Sequence, residues 1–175
     1  MDSAIPPVQF FRYCPRCGSA NFNQLGDRAK KCVQCGFTYY FNTSAAVAAL
    51  IFDPQGRLMF ARRAIQPHLG MLDLPGGFIE PMETAEEAIC RELKEELGVT
   101  VQSLEYFGSF PNEYPYSGIS VFTLDLTFRV TVVSLENMVP MDDVASIEFY
   151  YPHEVDLSEV PSNSIRLALQ KLQEK

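Results

Sequence analysis

The apolar positions along the chain change their spacing several times, and each change predicts a different element. Residues 45–52 are a near-continuous apolar run, which predicts a buried strand. Turn-forming residues follow at 53–56, and residues 57–62 are predicted to return as a second strand. A loop rich in glycine and proline then leads to a predicted helix over residues 84–97.

The second half of the chain contains a longer alternating pattern. The even positions of residues 122–132 are all apolar and several odd ones are polar, which predicts a long, half-buried strand. Residues 147–151 are predicted to form another strand, and residues 164–173 a final helix. Strands mixed with two helices indicate an α/β or α+β domain behind a small cysteine-rich module.

The composition is that of an ordinary globular protein. The 175 residues are 47% hydrophobic and 21% charged, with a net charge of −8. No long cationic run is present, and this argues against a dedicated nucleic-acid-binding protein. The sequence shows neither a signal peptide nor an apolar run of about 18 residues, so we expect a cytoplasmic protein with no membrane span.

Four of the five cysteines lie in two Cys-x-x-Cys-Gly knuckles, and 14 residues separate the knuckles. Two such knuckles supply four thiolates for one tetrahedral zinc ion per chain, and the closed set predicts a structural metal. The alternatives, disulfide-bonded cysteines or four unrelated thiols, are disfavoured by this spacing and by a reducing cytoplasm. The fifth cysteine, Cys90, is expected to be a buried helix residue. The predicted zinc ligands are Cys14, Cys17, Cys32 and Cys35.

The predicted helix carries three glutamates on one side. At 100° per residue, Glu92, Glu95 and Glu96 fall within an arc of about 100°, where each pair of like charges costs roughly 0.2–0.5 kcal/mol. A divalent cation would offset that repulsion, and carboxylate oxygens suit Mg²⁺ or Mn²⁺. For the three glutamates alone, a solvated acidic face is the simpler interpretation.

The residues around the glutamates favour the metal site. The sequence has a glycine, five residues, a glutamate, seven residues and then Arg-Glu-Leu-Lys-Glu-Glu-Leu-Gly-Val. This pattern resembles the Nudix box at every fixed position, and a chance match is on the order of one in a billion per starting position. The matching residues are Gly77, Glu83, Arg91, Glu92, Leu93, Glu95, Glu96, Gly98 and Val99.

The resemblance implies both a fold and an activity. The implied fold is α/β, a Nudix-type mixed-sheet α/β/α sandwich over residues 42–175, behind a zinc ribbon with its N-terminal lead over residues 1–41. The implied activity is hydrolysis of a pyrophosphate bond by a metal-activated water that attacks phosphorus. The implied partner is a small nucleotide that contains a nucleoside diphosphate linked to a second group.

Roles for the matching residues follow from the same resemblance. Glu92, Glu95 and Glu96, with the carbonyl of Gly77, are the implied ligands of magnesium or manganese, and Glu95 and Glu96 are implied to be catalytic. Glu83 and Arg91 are expected to shape the junction of loop and helix through an ion pair.

A further carboxylate is expected at Asp143. In the NADH pyrophosphatases, a glutamate at about this distance before an aromatic strand is a catalytic or metal-binding group, and Asp143 fits it better than Asp142 does. A turn residue is the alternative interpretation.

Residues 109–117 bear on the substrate. They resemble the Ser-Gln-Pro-Trp-Pro-Phe-Pro-x-Ser signature of the NADH pyrophosphatases, a family with a zinc ribbon ahead of its Nudix domain. Ser109, Pro111, Pro115 and Ser117 match, Tyr114 stands for phenylalanine, and Phe110, Asn112 and Glu113 depart. As an aromatic, proline-stiffened loop the segment predicts stacking of a base on Tyr114 and Tyr116. A surface loop with no special role is the alternative.

These features make NADH the leading substrate, with AMP and reduced nicotinamide mononucleotide as products. ADP-ribose, dinucleoside polyphosphates and a capped RNA end stay open, and so does a homodimer. Arg62, at a strand end, is a candidate phosphate ligand, although a solvated strand end would explain it too. The rival function is a non-catalytic nucleotide sensor that binds a partner through its ribbon. The complete box argues against a sensor, which needs no metal-ligating glutamates.

Overall fold

In the computed structural model, residues 5–136 and 138–174 are described. The elements are, in chain order, α1 (Pro7–Phe10), β1 (Phe22–Gln24), β2 (Ala29–Cys32), β3 (Thr38–Tyr40), β4 (Ser44–Ile51), β5 (Leu58–Arg63), β6 (Leu72–Asp73), α2 (Ala85–Leu97), β7 (Val101–Tyr116), β8 (Ile119–Val132), β9 (Val144–Tyr150) and α3 (Asn163–Gln173). A short 3₁₀ turn at Leu157–Glu159 precedes α3. None of the described helices is both long and apolar enough to span a membrane.

The chain divides into two compact units. The first contains the residues up to Ser44 together with Glu113–Phe122, and the second contains Ala45–Asn112 together with the residues from Thr123 onward. The hairpin of β7 and β8 therefore has its tip in the first unit and its long arms in the second.

The first unit is a small antiparallel sheet in the order β1-β2-β3. Its buried core is made of Cys14, Phe22 and Cys32, with Cys35 and Phe37 packed against them. A core this small buries too little apolar surface to hold a sheet together by itself, so a further source of stability is needed.

The second unit contains two sheets, in the orders β4-β8-β7 and β6-β5-β9, and two apolar cores. In one core, Ile89, Leu93 and Leu97 of α2 pack against β4 and against the second half of β8. In the other, Ile165, Ala168 and Leu169 of α3 pack against β5 and β7. The predicted α/β fold, a mixed-sheet α/β/α sandwich, is confirmed.

The helix α2 begins and ends where the sequence predicts. The Thr84 hydroxyl accepts a hydrogen bond from the Glu87 amide at 3.2 Å, and the Glu87 carboxylate accepts one from the Thr84 amide at 2.9 Å. Gly98 takes the left-handed conformation, with φ of 68°, that ends many helices. The expectation that Cys90 is buried is wrong, because this side chain lies on the exposed side of α2.

The prediction of a loop over residues 109–117 is also wrong. Strand β7 continues to Tyr116, and the chain turns at Ser117 and Gly118, which both have positive φ angles. Pro111 and Pro115 favour a loop in the sequence because proline cannot donate a hydrogen bond to a neighbouring strand. β7 lies at the edge of its sheet, where that donor is not needed.

Strand β8 departs from its predicted burial in its first half. Phe128, Val130 and Val132 are buried as expected, but Phe122 and Leu124 are exposed. Thr123 is buried between them, and Thr127, on the same odd side of the strand, is buried beside Phe128. The even-numbered side chains of β8 pack against the α2 core only from about residue 126 onward. The alternating pattern therefore separates the two faces of the strand but does not show which face is buried.

Candidate active site

The loop before α2 has two glycines at close approaches, Gly76 against the backbone of β4 and Gly77 against a side chain of α2. A β-carbon at Gly76 would lie less than 3.0 Å from the carbonyl carbon of Val47, and one at Gly77 less than 3.0 Å from the Glu92 carboxylate. The Gly77 carbonyl accepts a hydrogen bond from the Val47 amide at 2.8 Å. A carbonyl oxygen has two lone pairs, so this bond still leaves Gly77 able to serve as the metal ligand that the sequence predicts.

Arg91 is the centre of the junction between loop and helix. Its Nε and Nη2 atoms donate to the two carboxylate oxygens of Glu83 at 2.8 and 2.9 Å, so the ion pair expected between these residues is present and bidentate. Nη1 donates to Glu92 Oε1 at 2.9 Å and to Glu95 Oε2 at 3.0 Å. One guanidinium therefore orients two of the predicted metal ligands, while their other oxygens make no hydrogen bond among the described residues.

Glu96 differs from the other two glutamates of the arc because its side chain is buried. It is 6% exposed, and one carboxylate oxygen accepts the Gly76 amide at 2.9 Å. The pKa of Glu96 is raised to about 9, mainly by burial and also by the charges of Asp143, Glu92 and Asp73, while the Gly76 hydrogen bond acts in the opposite direction. The alternative interpretation of the three glutamates, a solvated acidic face, therefore does not hold for Glu96.

Two aspartates complete the acidic cluster. Asp143 is half-buried, with its carboxylate 3.6 Å from Arg63, and its charge raises the pKa of both Glu92 and Glu96. Asp73 receives a hydrogen bond from Arg63 at 3.0 Å, and desolvation raises its pKa to about 6. The sequence reasoning missed Asp73. The available signal was a single charged residue between Leu72 and Leu74 in an otherwise apolar strand.

The chemistry of this cluster fits a divalent metal. Burial is the main cause that raises the pKa of Glu92, Glu96 and Asp73, and repulsion from neighbouring carboxylates, Asp143 among them, also raises each of these pKa values. A cation removes that repulsion, and hard carboxylate oxygens are the ligands that Mg²⁺ and Mn²⁺ prefer. Glu92, Glu95 and Glu96 are the residues that would hold the metal, with the Gly77 carbonyl beside them.

Arg62, the predicted phosphate ligand, already donates hydrogen bonds to two carboxylates and one backbone carbonyl. It donates to Glu148 at 2.5 and 2.8 Å, to Glu159 at 2.8 Å and to the Gly70 carbonyl at 2.7 Å. The hydrogen bonds from Arg62 lower the pKa of Glu148 to about 2. A phosphate would have to compete with two carboxylates for Arg62, so its predicted role in substrate binding stays a prediction.

The four cysteines of the first unit converge on one point. Their sulfur atoms all lie within 4.8 Å of one another, and they are the one group of three or more metal-ligating side chains in the described residues that do so. Sulfurs are 3.7 Å apart in the Cys14–Cys35 pair and 3.6 Å apart in the Cys17–Cys32 pair. Tetrahedral zinc with Zn–S bonds of about 2.3 Å requires about 3.8 Å between sulfurs, so the set fits zinc.

The backbone of each knuckle explains its glycine. The Gly18 amide donates to the Cys14 carbonyl at 2.8 Å and the Gly36 amide to the Cys32 carbonyl at 3.0 Å. Both glycines have φ near 70°, a conformation that other residues rarely adopt. The two knuckles thus share one geometry, as a zinc ribbon requires.

The two predicted base-stacking residues share one side of β7. The rings of Tyr114 and Tyr116 are stacked with centroids 6.3 Å apart and planes 15° from parallel, as expected for side chains two residues apart on a strand. Tyr116 is exposed and Tyr114 is half-buried. A flat aromatic surface is therefore present at the tip of the hairpin.

The two adjacent aspartates at 142 and 143 provide a matched test. Asp143→Asn is expected to lower kcat more than Asp142→Asn, because Asp143 belongs to the acidic cluster whereas Asp142 is exposed, with a positive φ of 53°. The measurement is steady-state turnover of both variants at saturating magnesium. Equal and small losses would return both residues to the turn interpretation.

Together, these elements bring several carboxylates to the junction of a glycine loop and a helix. The NUDIX domain model matches residues 42–168 of the chain. The chain belongs to the Nudix family, and the resemblance seen in the sequence is confirmed.

Among curated proteins, the chain is 31% identical over 118 residues to the NAD-capped RNA hydrolase NudC of Vibrio parahaemolyticus, covering 67% of this chain and 45% of that protein. It is 34% identical over 128 residues to the protein of the same name from Deinococcus radiodurans, covering 70% and 45%. The chain thus spans less than half the length of these relatives.

Among solved structures, a Nudix hydrolase from Nitrosomonas europaea matches with a TM-score of 0.65 at 23% identity, covering 93% of this chain and 89% of that one. The NUDIX domain of Shewanella oneidensis NrtR, determined with ADP ribose, matches with a TM-score of 0.56 at 19% identity, covering 76% and 88%. These similarities show the fold.

Proposed function

We propose that this chain hydrolyses the pyrophosphate bond of a nucleoside diphosphate linked to a second group, and that NADH is its leading substrate. The observation that carries the proposal is the acidic cluster around Glu96, held against the glycine loop by the Gly76 amide and by Arg91. Such a cluster is costly to fold without a cation, and a bound cation is what pyrophosphate hydrolysis needs. Within the proposal, residues 1–41 form the zinc ribbon with its lead, and residues 42–175 the Nudix hydrolase domain.

The carboxylates of the acidic cluster have different roles in the proposed hydrolysis. A bound divalent metal would neutralise phosphate oxygens and lower the pKa of a water that attacks phosphorus. Glu92 and Glu96 supply negative charge in a desolvated setting, where a cation is held more strongly. Glu95 is about half exposed and fixed through one oxygen by Arg91, so its second oxygen is available to accept a proton from water. Asp143 adds a further carboxylate at the edge of the cluster.

NADH is favoured by three features. The four clustered cysteines, the complete box and the match at residues 109–117 are a combination that resembles the NADH pyrophosphatases. The relatives from Vibrio parahaemolyticus and Deinococcus radiodurans are named NAD-capped RNA hydrolases. The departures at Phe110, Asn112 and Glu113 weaken the case for NADH in particular, so ADP-ribose is the second candidate. The test is turnover of NADH, ADP-ribose, a dinucleoside polyphosphate and an NAD-capped RNA under identical conditions with magnesium.

The hairpin tyrosines are expected to bind the base of the substrate. Tyr114→Ala should reduce kcat/KM for NADH about 5- to 150-fold, which corresponds to the roughly 1–3 kcal/mol lost with one stacked base. Tyr106→Ala is the control, since Tyr106 lies on the same strand and is 56% exposed, as is Tyr116. If ADP-ribose is turned over far better than NADH and Tyr114→Ala changes neither, the assignment to NADH is wrong, although the pyrophosphatase activity stands.

A further inference from the structure

Charge is distributed very unevenly along this acidic chain. Residues 1–44 contain five of the 14 Lys and Arg residues but only two of the 22 Asp and Glu residues. Their net charge is +3, whereas residues 45–175 carry −11. A zinc ion with four thiolates adds −2 at the metal, and the cationic side chains elsewhere in the segment are unaffected. With the zinc ion and its thiolates counted, the segment has a net charge of +1 against −11 for the remainder, so the overall charge of −8 conceals a segment that is slightly positive.

The same segment exposes a row of aromatic rings, which we call the aromatic row. Neighbouring ring centroids are 6.4 Å apart for Phe37 and Tyr39, 5.0 Å for Tyr39 and Phe41, and 5.4 Å for Phe41 and Phe11. Phe10 continues the row at 5.7 Å from Phe11. Phe10, Phe11 and Tyr39 are each more than 40% exposed. So much exposed aromatic surface on a small sheet indicates a binding surface.

The strand register places cations on the same face as this row. Lys30 is opposite Tyr39 in the antiparallel pair of β2 and β3, and directly opposite residues project from the same face of a sheet. The Phe41 amide donates to the Arg28 carbonyl at 2.8 Å, which extends the register by one pair and brings Arg28 opposite Phe41. Arg12 follows Phe11 directly in the chain and is exposed.

The three cations near the aromatic row have different tasks. The Lys30 ammonium is buried and donates to the Phe11 carbonyl at 2.6 Å, so it fixes the position of the row. Arg28 and Arg12 are exposed and, within the described chain, have no carboxylate within 4.0 Å. The face therefore offers aromatic rings for stacking and guanidinium groups for an anion.

We propose that the aromatic row, with Arg28 and Arg12, binds single-stranded RNA. Exposed rings interleaved with cations are the chemistry that recognises unpaired bases and their phosphates, since every base has a stacking face and every linkage a negative charge. The positive charge of this surface favours a polyanion. The acidic residues 45–175 of a second copy would also complement that charge, so self-association is an outcome of the test. The choice of RNA over DNA rests on the proposed function, whose candidate substrates include a dinucleotide at an RNA end.

The test is binding of a fluorescein-labelled, 5′-hydroxyl oligoribonucleotide of 12 unpaired residues to the zinc-loaded full chain, followed by anisotropy. This RNA has no pyrophosphate, so the result does not depend on catalysis. Tyr39→Ala should weaken binding about five- to a hundredfold, the range for one lost base stack. Arg28→Ala should weaken binding and make it less salt-dependent, because one phosphate contact is lost. Tyr106→Ala, on a strand of the other unit, should bind as the wild type does.

Zinc content and NADH turnover are measured on each variant and should stay at wild-type levels, since Tyr39 and Arg28 are neither zinc ligands nor part of the acidic cluster. Unchanged RNA binding by Tyr39→Ala would overturn the proposal. So would tighter binding of the matching DNA strand or of duplex RNA, or sedimentation showing a dimer that Tyr39→Ala dissociates while RNA is not bound. Loss of NADH turnover in the wild type alone would count against the proposed function and not against this surface.

Discussion

Glu96→Gln is expected to lower kcat by about 10²- to 10⁴-fold while leaving the fold intact, because it removes a ligand charge from the acidic cluster. Glutamine keeps the size of the side chain, and its carbonyl oxygen can still accept the Gly76 amide. The measurement is steady-state turnover with magnesium, together with chemical unfolding of the metal-free protein. Stability at neutral pH should be retained or increased. The pKa of Glu96 is raised to about 9 in the folded protein, so above the ordinary carboxyl pKa the unfolded state ionises more readily and the free energy of unfolding falls. Glutamine does not ionise and so avoids this loss.

The matched control for this substitution is Glu86→Gln. Glu86 is on the same helix, in its first turn, and is exposed away from the cluster. It should retain nearly all activity. Comparable turnover in Glu96→Gln and Glu86→Gln would mean that the helix merely carries acidic surface residues.

The second large effect is expected at the zinc site. Cys32→Ser should abolish zinc binding and unfold the first unit, because the Cys32 side chain is fully buried and belongs to a core of only a few residues. Metal binding supplies on the order of 10–16 kcal/mol in zinc modules of this kind, far more than so small a core can provide. Elemental analysis should find one zinc per chain in the wild type and none in the variant. Hydrogen exchange should show loss of protection over residues 22–40.

Cys90→Ser is the control for the zinc prediction, since Cys90 is exposed on α2 and distant in sequence from both knuckles. It should bind one zinc per chain. Absence of zinc from wild-type protein purified without chelator, or a disulfide between Cys14 and Cys17, would contradict the assignment.

The sequence predicts this fold well where local chemistry decides the structure. The capping box at Thr84 and Glu87 and the stop at Gly98 depend on backbone hydrogen bonds between near neighbours, and α2 follows them closely. The cysteine knuckles are local in the same sense. The family resemblance adds the arrangement of the elements, which periodicity by itself does not provide.

The failures concern which face of an element is covered. Pro111 and Pro115 indicate a loop unless it is known that β7 is an edge strand, and Cys90 indicates burial unless the orientation of α2 is known. The burial of Glu96 also depends on residues that are distant in sequence. Its neighbours Gly76 and Asp73 are 20 and 23 positions away, so a helical wheel cannot show that one glutamate of the arc is enclosed.

The most direct test of the central claim is hydrolysis of NADH in ¹⁸O-labelled water by zinc-loaded protein, with and without added magnesium or manganese. The expected result is AMP and reduced nicotinamide mononucleotide, with one labelled oxygen on a product phosphate. Hydrolysis should depend on the added metal, and Glu96→Gln should form neither product. Folded, zinc-loaded protein that cleaves neither NADH nor any other linked nucleoside diphosphate with either metal would contradict it.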